Sequence, residues 1–234
     1  MTPTLLIVAA VSAALLMGAA WGLYGRFGPR TEGFLIAFAG GALVLSLVTE
    51  LIQPAAASSS TLLAMAGVAL GAVVFTAIDW LVDERWGPGT GLGLLLALTL
   101  DGVPENLALG VGLIDSEPAA IAALAGSIFL SNLPEAAGGA RAMAKLQWQR
   151  GRIMALWAGV AALLAFAAIA GNRLLPGASA ELLAFVQCFA AGAVVASLAT
   201  EVFPRAYREG QHLAGIATAL GLLLALGLGE LGRA

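Results

Sequence analysis

The chain contains few charged residues, one cysteine and one histidine, and each shortage excludes a class of protein or site. Of its 234 residues, 11% are charged and 60% are hydrophobic, whereas a soluble domain carries roughly twice that share of charge. Because Cys188 is its only cysteine, the chain cannot form an internal disulfide or a cysteine-rich metal site. The net charge of −3 gives no basic footprint for nucleic acid. The composition predicts an integral membrane protein whose partner is the lipid bilayer.

Glycine, alanine and long apolar stretches make up most of the chain instead. Its 30 glycines suit helices that pack backbone to backbone in lipid. Apolar stretches of about 20 residues predict eight membrane-spanning helices, all within one transmembrane domain over residues 1–234. The predicted helices are 4–24, 33–53, 61–82, 91–114, 118–143, 152–171, 181–203 and 211–231.

The basic residues predict an orientation. Nine of the 11 Lys and Arg residues fall in alternate connections, which by the positive-inside rule lie in the cytoplasm. We therefore expect a multi-pass protein of the cell (inner) membrane with both termini outside. The opposite side keeps Arg173 and Arg233. The nine are Arg26, Arg30, Arg85, Arg141, Lys145, Arg150, Arg152, Arg205 and Arg208.

Two matched polar segments lie within the fourth and fifth predicted helices. Residues 101–106 read DGVPEN, and residues 131–136, thirty positions later, read SNLPEA. A carboxylate at such a depth is costly unless it has a partner, so it usually marks an ion site or pathway. Each proline also frees the carbonyl four residues before it, at Leu100 and Leu130. The two segments predict a cation site near the middle of the membrane.

An internal repeat relates the two ends of the chain. Residues 34–50 align without gaps on residues 185–201, at an offset of 151 that matches Glu50 with Glu201. The same offset pairs Asp79 with Glu230. Because helices two and seven run in opposite directions, the repeat is inverted, relating helices one to three to helices six to eight. Such repeats around a midplane site are typical of secondary transporters.

This topology and the two Pro-Glu motifs resemble the ZIP (Zrt/Irt-like) family of divalent metal transporters, with this chain as a divergent bacterial-type member. Helix four of that family typically reads His-Asn-x-Pro-Glu-Gly, and helix five is similar. Here Asp101 and Ser131 occupy the histidine positions, while Asn132 keeps the asparagine of helix five. The resemblance implies an all-α fold of eight transmembrane helices in a 3+2+3 arrangement. It also implies transport of zinc, iron or manganese, a homodimer, and joint movement of helices one, four, five and six.

Helical spacing predicts which side chains meet. Asp101 and Glu105 are four residues apart and share one helix face, as do Ser131 and Glu135. If the two faces meet, one divalent cation neutralises two of the three carboxylates and a proton neutralises the third. The expected metal ligands are Asp101, Glu105, Ser131, Asn132 and Glu135, with Asn106 as an extra ligand or a partner of one.

The ligand set contains only oxygen, which favours Mn²⁺, Mg²⁺ or Fe²⁺ over the nitrogen-rich sites of zinc. The family resemblance favours zinc and iron, so the metal stays open. Glu50 and Glu201 are candidate pathway residues that gather cations, or interface residues in contact with water. We expect no prosthetic group.

Other functions remain open at this point. The same fold, without its histidines, would suit a different cation or another substrate. An intramembrane enzyme would use Asp101 and Glu105 as an acid-base pair, but no nucleophile is evident, so we expect no enzymatic activity. A scaffold or sensor that transports nothing is the third alternative. No ATP-binding motif is present, so movement would follow a gradient or a coupled ion.

Overall fold

The computed structural model describes residues 2–25, 28–86, 91–114 and 121–233, most of which are helical, with no strand among them. Arg26, one of the basic residues that set the predicted orientation, lies outside them. The long helices are α1 (Thr2–Tyr24), α2 (Pro29–Ser58), α3 (Thr61–Trp86), α4 (Gly91–Gly112), α5 (Ala122–Lys145), α6 (Arg150–Leu174), α7 (Ala180–Gly210) and α8 (Leu213–Arg233).

Six of these helices, α1, α2, α3, α6, α7 and α8, are long and apolar enough to cross a membrane. Helices α4 and α5 are of similar length but carry the polar Pro-Glu segments within their apolar sequence. Both continue through their prolines, Pro104 and Pro134. The chain is therefore an all-helical, multi-pass membrane protein.

Helices α2 and α7 extend beyond their predicted ends. The predicted ends at 53 and 203 lie next to Pro54 and Pro204, but α2 continues to Ser58 and α7 to Gly210. In each helix the proline follows a wider, π-helical stretch, residues 47–52 in α2 and 198–202 in α7. A π-helical turn shifts the hydrogen-bond pattern, so a residue without an N–H is accommodated there. These stretches begin 151 residues apart, which is the offset of the sequence repeat.

Glycines allow close backbone contacts, as the composition predicts, among them those of α2 with α8 and of α3 with α7. A Cβ on Gly41 would overlap the backbone of α8 at Thr218, and a Cβ on Gly221 would overlap that of α2 at Phe38. In the other half, a Cβ on Gly192 would overlap Val68 of α3.

Gly71 of α3 is similarly placed against Phe189 of α7. Gly71 of α3 therefore corresponds to Gly221 of α8, so these two helices are related by an offset of 150 residues rather than the 151 that relates α2 to α7. In this register Asp79 corresponds to Gly229, and not to Glu230 as the alignment predicts. The two glycine contacts set how α3 and α8 lie on their partners.

The two larger clusters of the apolar core both contain residues of α4 and α5. The first half of α4, at Leu98, packs in one cluster with Met143 of α5. The second half of α4, at Leu109, packs in the other cluster with Ile128 of α5. Along each helix the change from one cluster to the other coincides with the Pro-Glu segment. The polar side chains of these segments therefore lie between two apolar clusters.

Candidate metal centre

Asp101 is fixed to a neighbouring helix by a short hydrogen bond. Ser197 of α7 donates its hydroxyl to Asp101 Oδ2 at 2.6 Å, and the backbone N–H of Gly102 also bonds the Asp101 carboxylate. Ser197 itself is buried, with 1% of its surface exposed. Ser197 was not predicted to belong to the site, although the repeat aligns it with Ser46. The hydrogen bond joins α4 to α7 at the level of the Pro-Glu segment.

The three carboxyl groups of α4 and α5 lie within electrostatic range of one another. Glu105 is 5% exposed, and its Oε1 has no hydrogen-bond partner within the described part of the chain. The charge of Asp101 acts on Glu105, and both act on Glu135. Three carboxylates in a buried space repel one another unless cations or protons accompany them. This arrangement supplies the negative charge that a divalent cation requires.

The amide and hydroxyl side chains expected as ligands differ in whether they already form hydrogen bonds. Asn106 donates its amide to the carbonyl of Gly102 at 2.9 Å, and Ser131 donates its hydroxyl to the carbonyl of Ile128 at 3.1 Å. The oxygen of each side chain keeps lone pairs for a cation. Asn132 is 2% exposed, and its Nδ2 has no partner among the described residues. A half-turn of that amide exchanges nitrogen for oxygen and would present a ligand atom.

Glu201 lies near the site, whereas Glu50 has other neighbours. Glu201 occupies the π-helical stretch of α7, hydrogen-bonds Asp79 of α3, and is acted on by the charges of Asp101 and Glu135. Glu50 occupies the equivalent stretch of α2, where Thr49 donates a hydrogen bond to its Oε1 at 3.1 Å. The Asp79–Glu201 pair is an acidic neighbour of the site that the sequence analysis did not predict.

A difference between the two halves is visible at their matched serines. Ser46 of α2 hydrogen-bonds Ser127 of α5, with 2.8 Å between the hydroxyl oxygens. When residues 101–106 are aligned with residues 131–136, Ser127 of α5 corresponds to Ala97 of α4. Ser197, by contrast, contacts Asp101, which corresponds to Ser131. Ser46 therefore contacts α5 about one helical turn nearer the N-terminus than the position that corresponds to the contact of Ser197 with α4.

No group of three or more His, Cys, Asp or Glu side chains in the described ranges is arranged as a ready metal site. The three carboxyl groups interact through their charges but do not converge on one point. A cation bound here would draw the carboxylates together or complete its shell with Asn132, Ser131 and backbone carbonyl oxygens.

A large cavity of about 660 Å³ lies between α3, α4 and α7, beside Pro104. Its lining is almost entirely apolar and includes Phe75, Leu100, Val103 and Phe189. An apolar lining cannot replace the hydration shell of an ion. The cavity is therefore separate from the carboxyl cluster in its chemistry.

No protein-family model matches the chain, and no curated protein matches its sequence.

Proposed function

We propose that this protein carries divalent metal cations across a cell membrane and uses Asp101, Glu105 and Glu135 as its central anionic ligands. The observation that carries the proposal is the buried grouping of these carboxyls, with an unbonded oxygen on Glu105 and an unbonded amide on Asn132. Unsatisfied polar atoms in a membrane protein are costly, so their retention indicates a ligand that satisfies them. A divalent cation supplies both the charge and the ligand bonds.

The helix contacts support an inverted repeat around this site. Helix α1 packs on α5 as α6 packs on α4, and α2 packs on α8 as α3 packs on α7. The contact of α2 with α5 likewise has its counterpart in that of α7 with α4. These pairs are those expected if α1–α3 and α6–α8 are inverted repeats with α4 and α5 between them. We propose accordingly eight transmembrane helices in a 3+2+3 arrangement, of the kind found in the ZIP family.

The ligand chemistry defines the cargo as a hard or intermediate divalent cation. Carboxylate, amide, hydroxyl and carbonyl oxygens suit Mn²⁺ and Fe²⁺, while the resemblance to ZIP proteins adds Zn²⁺ to the set. We propose transport without ATP hydrolysis, in an inner-membrane protein whose termini lie outside and which assembles as a homodimer.

Metal uptake into liposomes tests the proposed function. Purified protein should load Mn²⁺, Fe²⁺ or Zn²⁺ into vesicles with saturation kinetics. Glu105→Gln and Glu135→Gln should each abolish the saturable component, because each removes one of three central charges. Glu84→Gln is the matched control, since Glu84 is an exposed carboxylate near the end of α3.

Two outcomes would count against a carrier. Absence of uptake by the unaltered protein for all three metals would favour a sensor, a scaffold or a carrier of another substrate. Unchanged uptake in both glutamine variants would remove Glu105 and Glu135 from the cation site.

A further inference from the structure

Helix α5 carries a stripe of residues from the carboxyl cluster to one end of the bundle. Ser131, Glu135, Gly138 and Arg141 are spaced by four, three and three residues, so they share one face of the helix. We call the end that contains Arg141, Arg205 and the start of α2 the basic end. The stripe is the direct line along α5 from the proposed cation site to that end.

A buried ion triad lies across this line. Glu32, at the start of α2, is 6% exposed and forms salt bridges with two arginines. Its Oε1 accepts a bond from Arg205 Nη2 of α7 at 2.7 Å, and its Oε2 is paired with Arg141 Nη2 of α5. One carboxylate therefore holds two guanidinium groups and joins α2, α5 and α7.

Gly138 shows where the Arg205 guanidinium lies. A Cβ at position 138 would overlap Arg205 Nη2 and would lie 2.5 Å from Glu32 Oε1. The guanidinium therefore rests on the backbone of α5, at a place where only glycine leaves room. Gly138 is one turn beyond Glu135, and the charge of Arg205 acts on Glu135. Arg205 thus lies between Glu32 and the nearest carboxylate of the proposed site.

We propose that Arg205, clamped by Glu32 and accompanied by Arg141, closes the route between the carboxyl cluster and the basic end. The triad carries a net charge of +1, and guanidinium groups held on this line repel a cation that approaches along it. Passage of a cation toward the basic end then requires the Glu32–Arg205 bond to break. The role of this barrier in transport rests on the proposed function, but the closure itself does not.

Cysteine accessibility tests the closure without any metal. Cys188→Ala first removes the native thiol. In that background, Ser131→Cys places a thiol at the buried start of the stripe. A separate Arg208→Cys variant carries a thiol at an exposed residue and marks the basic end. A membrane-impermeant thiol reagent is added on the side of the membrane from which it labels Arg208→Cys. From that side it should label the thiol at position 131 slowly. Adding Arg205→Gln should accelerate that labelling at least tenfold. Adding Arg208→Gln, a neutralised arginine one turn away, should leave the rate unchanged.

Gly138→Ala provides a second, smaller perturbation. The added methyl displaces the guanidinium, so it should accelerate labelling as Arg205→Gln does, and the two together should not exceed either alone. Folding is checked by a single symmetric elution peak. If Arg205→Gln does not fold, Gly138→Ala decides the question alone.

The closure is refuted if folded Arg205→Gln or Gly138→Ala leaves the labelling rate of the Ser131→Cys thiol unchanged. It is also refuted if the two changes accelerate labelling additively, because they would then act at separate places. A protein that shows the labelling response but takes up no metal would contradict the proposed function and leave the closure standing.

Discussion

Ser197 Oγ and Asp101 Oδ2, on helices α7 and α4, are joined by a 2.6 Å hydrogen bond at the level of the Pro-Glu segment. The bond fixes one of the three central carboxylates to a helix outside the pair that carries the cluster. Ser46 occupies the matching position of the repeat, but it bonds Ser127 instead of a carboxylate. The two serines therefore form a matched pair of which only one should influence the cation.

The first prediction concerns these serines. Ser197→Ala should weaken metal affinity about tenfold, equivalent to about 1.4 kcal/mol, because Asp101 loses the donor that positions it. Ser46→Ala loses a hydrogen bond of similar burial and should leave affinity within about twofold. Titration calorimetry on both purified variants measures the difference. Equal losses of affinity would show that Ser197 acts only through overall stability.

The second prediction concerns metal preference. Asp101→His together with Ser131→His should shift preference toward Zn²⁺, because imidazole suits zinc better than carboxylate or hydroxyl oxygen does. Competition between Mn²⁺ and Zn²⁺ in uptake assays measures the shift. Asn172→His is the control, since Asn172 bonds Gly110 on α4 away from the Pro-Glu segment. An unchanged rank order in the double variant would mean that neither position contacts the metal.

The third prediction concerns pH. Carboxylates bind metal only in their deprotonated form, so protons compete with the cation and apparent affinity should fall as pH falls. Metal binding should release protons, and Asp101→Asn should release fewer because one titrating group is gone. Binding enthalpies in buffers of different ionisation enthalpy measure the number released. No dependence on the buffer near neutral pH would refute proton exchange at this site.

The fourth prediction concerns the contact between α2 and α8. Gly221→Ala forces the backbones apart at Phe38 and should destabilise the protein by about 2 kcal/mol or more, as overpacking does. Gly227→Ala on the same helix has nothing within 4 Å of the new methyl group. That variant should be neutral or gain up to about 1 kcal/mol from helix propensity. Thermal unfolding in one detergent compares them, and equal melting temperatures would contradict the close contact.

The sequence predicted the helices well, because long apolar stretches and their breaks are local properties. It predicted the ends of α2 and α7 less well, since Pro54 and Pro204 are local helix-breaking signals. The π-helical stretches that accommodate them depend on the whole helix.

The placement of Asp101 with Glu105 on one helix face, and of Ser131 with Glu135 on another, was predicted from their spacing. Contacts between residues far apart in the sequence were not predicted. Asp79 and Glu201 come from helices far apart in sequence, and Glu32 meets Arg205 across 173 residues. No spacing rule connects such pairs, because they depend on how helices pack. The repeat aligns Ser197 with Ser46, but that match alone predicted no contact between Ser197 and Asp101.

The unequal contacts of Ser46 and Ser197 have a mechanical consequence. If the two halves exchanged their arrangements, Ser197 would face Ala97 and Ser46 would face Ser131. Each central helix would then have advanced by one turn, about 5.4 Å, along its neighbour. A helical turn returns side chains to the same face, so this step preserves the interlocking of apolar residues on either side. If the proposed carrier alternates between these two arrangements, the carboxyl cluster would move by one helical turn along the neighbouring helices.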